Sequence, residues 1–320
     1  MRVELASSSF KNKQAKRDKG ETWRRLKSAK YLYLMLIPAC VWVIAFAYAP
    51  MFGLYMAFVN YQPGGEFWSQ FFTSKFVGLD WFVYFYNSGD FLRLMRNTLL
   101  SSAMTILISF PAPIIIALAL NEVKNKFFKK TVQSVAYLPY FVSWVIAANI
   151  FITLLSSDGM VNGMLKSLGL IDESILFFQE KNYFWSIVAS ANTWKSMGYN
   201  SIIYLAAIAG INPEQYEAST VDGANKWKQM LHITLPSLKP TAIILLILAV
   251  ANVMNTGFDQ YYLMQNESIM ATADVIDTYT YRYGLSQGMF SYAAAVGLFK
   301  SVVSIILLTT INKVFKRALF

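Results

Sequence analysis

Residues 31–58, YLYLMLIPACVWVIAFAYAPMFGLYMAF, contain no charged side chain, and the reading of the whole chain turns on them. A hydrocarbon core about 30 Å thick is crossed by roughly 20 apolar residues in a helix, because only there do backbone groups satisfy one another without water. The stretch is long enough to span. Residues 1–30 ahead of it hold ten Lys and Arg and join it without a small-residue cleavage site. They read as a basic cytoplasmic segment before an uncleaved anchor, not as a removable signal peptide.

Five more apolar runs follow, at about 98–120, 131–155, 184–208, 241–264 and 292–311. The expectation is an all-α integral membrane protein of six transmembrane helices, with residues 31–320 forming one transmembrane domain. The composition agrees: of 320 residues 56% are hydrophobic and only 14% charged, far from a soluble domain. Pro38, Pro50, Pro111 and Pro113 would break soluble helices but are tolerated as kinks in transmembrane ones.

Charge placement predicts orientation. Besides the ten basic residues in 1–30, there are four in 121–130, three in 210–240 and three in 312–320, against three in 59–97, two in 156–183 and one in 265–291. With an even number of spans, the positive-inside rule places both termini in the cytoplasm. The net charge of +10 then belongs to cytoplasmic loops beside membrane lipid, and no nucleic-acid partner is expected. Lys195 and Lys300 fall inside spans, where a charge costs about 2.5–3.5 kcal/mol on insertion scales, so each needs a partner or a wet cavity. Asp259 is the expected partner of Lys195.

The segment between the first two spans is rich in aromatics, among them Trp68, Phe71, Phe72, Trp81, Phe85 and Tyr86. Amphipathic rings settle at headgroup depth, which reads as an interfacial belt; docking of an external partner is the alternative. Cys40 and His232 are the only residues of their kinds, so no disulfide framework and no Cys/His metal cluster can form.

The loop after the fourth run, at about 210–240, carries the most information. Asn212–Pro213–Glu214–Gln215 spells a helix start, with Asn212 as N-cap and Pro213 at the first helical position. A short helix through Glu217–Ala218–Ser219–Thr220–Val221 should meet a turn at Asp222–Gly223–Ala224, where glycine permits a left-handed backbone. A second short helix should then run toward Leu235–Pro236.

The stretch EASTVDGA (217–224) with Ile233, Leu235 and Pro236 resembles the cytoplasmic signature of the permease subunits of binding-protein-dependent ABC importers, with Ser219 in place of a second alanine. FVGLDWF (76–82), RNTL (96–99), YLMLIPA (33–39) and the block 274–303 are similar to the carbohydrate branch, closest to the LplB-like permeases. The resemblance implies a type I importer permease fold in a bacterial inner or plasma membrane. It implies a coupling helix that contacts a separate ATPase through Glu217, Ala218, Ser219, Asp222, Gly223, Ala224 and Trp227. Its implied partners are a second homologous permease, two ATPase subunits and an extracellular or periplasmic sugar-binding protein. No GxxxxGK[ST] stretch occurs in this chain, so ATP and Mg²⁺ would be bound by the partner subunits.

Asn252, Asn255 and Asp259 recur at i, i+3 and i+7, a spacing that places them on one helical face, with Tyr262 nearby; Asn192, Lys195 and Tyr199 repeat it on the fourth run. The maltose-type permeases are similar at Asn192–Thr193–Trp194, Asn252 and Asn255, which implies sugar contacts there. Interhelical glue is the plain alternative. Lys195 could favour acidic sugars. A secondary transporter or channel would share the spans but need no coupling signature, and a membrane-embedded enzyme would lack the acid/base pairs it needs.

Overall fold

The computed structural model describes residues 28–319; the basic segment expected at 1–30 lies almost wholly outside the described residues. These residues are helical apart from loops and one isolated bridge, Val59 with Phe76. The chain forms two compact units, Met1–Tyr55 and Met56–Phe320.

Helix α1 (Lys30–Phe58) makes up most of what is described of the first. It is regular over Lys30–Val43, loosens into a π turn at Ile44–Tyr48, and tightens to 3₁₀ geometry from Ala49. Pro50 gives the reason: it has no N–H for the preceding turn and its ring crowds the carbonyl four residues back, so the ladder shifts register beside it. No residue of Lys30–Val43 is buried by protein, as suits a helix whose solvent is lipid.

In the second unit, α2 (Phe67–Thr73) and α3 (Asp80–Asn87) precede α4 (Phe91–Glu122), a span that begins earlier than its apolar run. Pro111 and Pro113 sit where a new helical segment starts inside α4, positions at which their missing N–H costs least. The third run does not form one helix. It divides into α5 (Lys126–Phe141) and α6 (Trp144–Leu154), bent by 101°. Pro139 removes a ladder donor just before the bend, and Ser143, extended at ψ 155°, caps α6 through a 3.4 Å bond from Ile146 N–H. A short α7 (Met160–Ser167) leads to α8 (Phe184–Ala209), 26 residues without a break.

After α9 (Pro213–Val221), the expected second short helix turns out to be the first turn of α10 (Lys226–Ala251), which passes through a π turn at Met230–Thr234 and on across the apolar run. Conversely, the run at 241–264 does not continue as one helix: α10 ends at Ala251, the chain turns through Gly257 at φ +86°, and α11 (Phe258–Met264) starts afresh. Then come α12 (Ile276–Tyr281) and the long α13 (Phe290–Leu319). Among the described residues, four helices are long and apolar enough to cross a membrane, or five with the bent pair as one span. Polar side chains keep α8 below that level although it is long enough.

α8 packs against α4, α5, α6 and α10. Its contact with α5 is backbone-close: a Cβ on Gly198 would lie 1.9 Å from the Ala136 carbonyl oxygen. One apolar cluster joins Phe184, Val188 and Ala191 of α8 to Tyr261 and Met264 of α11. A second joins Phe85 and Leu94 to Tyr279, Tyr292 and Val296. The aromatic-rich segment therefore divides. Phe71 and Phe85 are core, whereas Trp68, Phe72 and Tyr86 are exposed.

The loop from α11 to α13 is held by a buried carboxylate. Asp274 is fully buried and accepts from Arg282 at 2.5 and 3.2 Å, from Arg93 of α4 at 3.4 Å, and from Thr278 at 2.9 Å. Asn97 donates to the Asp274 carbonyl at 2.9 Å and to that of Ala271 at 3.0 Å. Burial alone would lower the Arg282 pKa, but its hydrogen bond to Asp274 and that residue's charge outweigh burial and raise it. Breaking such a pair strands charge in a low dielectric, at a cost of about 3–5 kcal/mol. Asp274→Ala should therefore lower the thermal midpoint of the purified protein in detergent by several degrees, whereas Asp259→Ala, at an exposed position, should not; equal midpoints for the two variants would refute the clamp.

Candidate functional site

Three regions gather the polar side chains that the apolar framework does not need. The first is the loop joining α8 to α10. Asn212 accepts from Glu214 N–H at 3.1 Å and so caps α9, and Asn225 caps α10 by accepting from Lys228 N–H at 2.9 Å. Gly223 between them has φ +78°, the left-handed backbone that other residues adopt only with strain. Gln229, buried at the foot of α10, donates to Ser219 Oγ at 3.0 Å, Thr220 Oγ1 at 2.9 Å and the Tyr216 carbonyl at 3.3 Å. Ser219, which stands in place of the second alanine of the signature this loop resembles, thus supplies a bond that alanine could not. Tyr216 closes the arrangement through its hydroxyl, 2.9 Å from Thr234 Oγ1.

These bonds fix which side of α9 looks outward. Glu217, Ala218, Asp222, Gly223 and Trp227 are exposed, while Ser219 and Ala224 are half-buried. Val221 is 89% and Trp227 67% exposed. Two large apolar side chains presented at the tip of a polar loop mark an interaction surface.

The second region is a cavity of about 470 Å³ between α4, α8 and α10, lined by Asn192, Ser196, Asn200, Asn252, Thr105 and Ser109 among others. Asn192 donates to Gln260 Oε1 at 3.1 Å, which leaves its carbonyl oxygen toward Ser196. The third is a cavity of about 730 Å³ beyond the break in the fifth run, to which Asn255, Phe258, Asp277, Tyr281 and Lys300 contribute. Asn255 Nδ2 lies 3.4 Å from Asn252 Oδ1, so one bonded pair gives an asparagine to each cavity.

The expected site residues are only partly brought together. Asn192 and Asn252 share a cavity, but Asn252, Asn255 and Asp259 do not share a helical face, because the helix ends at Ala251. Asp259 and Tyr262 line neither cavity, although the Tyr262 ring stacks on Phe258, centroids 4.9 Å apart. Lys195 and Tyr199 point elsewhere as well. Tyr199 stacks on Tyr140 at 3.9 Å.

Lys195 does not pair with Asp259: its ammonium donates to the carbonyls of Tyr140 at 2.8 Å, Pro139 at 3.4 Å and Val142. The carbonyls of Tyr140 and Val142 are left open where α5 stops, that of Pro139 also accepting from Val142 N–H at 3.2 Å, and a cation there satisfies them and complements the helix dipole. Lys300 does find a carboxylate, Asp277. Ser196 and Asn200 were missed, although Asn192, Ser196 and Asn200 recur at i, i+4 and i+8, which is as good a helical face as the one first read.

The model of the family described as binding-protein-dependent transport system inner membrane component matches residues 109–320. This chain belongs to that family. The permease is 43% identical to Protein LplB of Bacillus subtilis (strain 168) over 301 residues, 93% of each chain. It is 40% identical to the polygalacturonan/rhamnogalacturonan transport system permease protein YteP of the same organism, covering 92% of this chain and 90% of that one. Among solved structures it is similar to a chain of a bacterial ABC transporter involved in import of the acidic polysaccharide alginate, with TM-score 0.82 and 38% identity over 93% of this chain and 99% of that one. It is also similar, at TM-score 0.82 and 39% identity, to a chain of the alginate transporter solved with its pentasaccharide-bound periplasmic protein, covering 92% of this chain and 97% of that one. The permease is thus a multi-pass bacterial membrane transport component, not an enzyme, with the type I importer permease fold.

If Lys195 serves the α5 carbonyls and not the substrate, Lys195→Met should lower thermal stability by about 1–3 kcal/mol. The ratio of acidic to neutral oligosaccharide uptake should stay as in wild type, and a shifted ratio at unchanged stability would return Lys195 to the substrate site.

Proposed function

We propose that this chain is one of two nonidentical permease subunits of an ATP-driven importer of oligosaccharides, acidic polysaccharide fragments included. The observation that carries the reading is the loop at 212–236: a capped helix, a left-handed glycine and two exposed apolar side chains, built in the pattern of an ATPase-coupling element. Its proposed contacts with the ATPase are Glu217, Ala218, Ser219, Asp222, Gly223, Ala224 and Trp227. Relatives named for polygalacturonan and alginate transport support the substrate class.

In this reading the membrane is crossed six times, by α1, α4, the bent α5–α6 pair, α8, α10 and α13, with both termini in the cytoplasm. A binding protein outside delivers the saccharide. Two ATPase subunits bind ATP and Mg²⁺ inside, and their closure moves α9 and opens the pathway outward by alternating access. Asn192, Asn252 and Asn255 are its proposed saccharide contacts, since amide groups both donate to and accept from sugar hydroxyls.

The test is copurification with candidate ATPase and second permease subunits, followed by ATP hydrolysis in liposomes with loaded binding protein. Gly223→Asp adds a charge and strains a left-handed backbone at the contact, so stimulated hydrolysis should fall about tenfold, the equivalent of about 1.4 kcal/mol. Sugar uptake by this chain alone, without ATP, would overturn the proposal.

A further inference from the structure

The 730 Å³ cavity carries chemistry that the asparagine-lined one does not. Asp277 and Lys300 form an ion pair whose side chains are only 20% and 16% exposed, and Asp277 is anchored independently, accepting at its other oxygen from Thr256 Oγ1 at 3.1 Å. A lysine ammonium has three donors, and here a single acceptor engages it among the described residues. An ionised carboxylate has about four acceptor positions, of which Lys300 and Thr256 occupy two. The pair therefore presents unused donors and acceptors side by side at zero net charge.

Lipid cannot fill such a cavity without the cost of leaving ionic groups unsatisfied in hydrocarbon. Two aromatic rings of its wall, Phe258 and Tyr281, touch at 4.8 Å, and Tyr262 behind them packs on Phe258 at 4.9 Å and on Tyr281 at 5.1 Å between centroids. Phe258 and Tyr281 line the cavity. A pyranose unit has an apolar ring face and, at its edge, neighbouring hydroxyls that each donate and accept. An aromatic wall beside a paired donor and acceptor matches both.

We infer that this cavity is a further saccharide subsite, in which Phe258 and Tyr281 receive a sugar face and the Asp277–Lys300 pair binds adjacent hydroxyls. It continues, through Asn255 and Asn252, the unit held at Asn192. A chain of two or more units fills both cavities and a monosaccharide fills one, so the subsite makes the permease select for length. The inference rests on the oligosaccharide-importer reading above.

The experiment uses the assembled importer in liposomes, with binding protein preloaded with galacturonate, alginate or arabinose oligomers of one or three units, so that selection by the binding protein drops out. The readout is the trimer-to-monomer ratio of uptake efficiency. Two variants are compared with wild type: Asp277→Asn with Lys300→Met, which removes both charges and orphans neither, and Tyr281→Ala, which truncates a ring at the cavity wall. In each the ratio should fall about tenfold, as for loss of hydrogen bonds to charged groups or of a ring contact worth about 1.4 kcal/mol. An equal loss at both lengths would assign the pair and the ring a structural role and overturn the subsite, as would a wild type with no preference for the trimer. No uptake of any oligomer by wild type would instead remove the underlying importer reading.

Discussion

Hydrocarbon gives a backbone carbonyl no water to bond, so a helix that stops inside the membrane must end on a donor supplied by the protein. This constraint shapes the second unit. Where α5 stops short, the Lys195 ammonium reaches across from α8 to the carbonyls of 139, 140 and 142. Where α10 stops, Asn252 turns its own amide back to the Leu248 carbonyl at 2.9 Å. Each interruption opens space beside it, and polar side chains gather at that space. The site is thus a by-product of broken helices whose ends have been made safe.

α8 is the element on which these interruptions are hung. It runs unbroken for 26 residues and touches α4, α5, α6 and α10. Gly198 lets the α5 backbone approach it closely, a device favoured where no hydrophobic effect drives helices together. Ser109 of α4 and Thr193 of α8 share a 2.6 Å hydroxyl bond nearby. Small and hydroxyl-bearing residues therefore hold the framework, and the asparagines project from it.

Most of this architecture could be read from the chain. Apolar runs located α1 and α8 to within a residue or so, although α4 and α10 begin 7 and 15 residues ahead of their runs, and Asn212, Pro213 and Gly223 announced the loop helix and its turn through ordinary capping and left-handed chemistry. What escaped was where an apolar run stops being a helix. Residues 252–264 hold Asn252, Asn255, Asp259 and Gln260 and are far more polar than 241–251, yet their aliphatic and aromatic residues carry a hydrophobic run past the break at Asn252 to Gly257, where only Gly257 signals a turn. The same blindness hid the bend at Val142 and Ser143. It also misassigned Lys195, since a carboxylate is the usual expectation for a buried ammonium, and carbonyls freed by a helix end leave no mark in the sequence.

The merging of the expected second loop helix into α10 has a mechanical consequence. α10 is one rod of 26 residues, about 39 Å long, with Trp227 in its first turn and Asn252 directly after its last. Gln229 bolts α9 to the same end. A tilt of about 10° imposed at that end swings the other by about 7 Å, given that length, which exceeds the diameter of a sugar ring. In the proposed importer, no relay of side chains is needed between the loop and the asparagines, because the lever arm is a single helix.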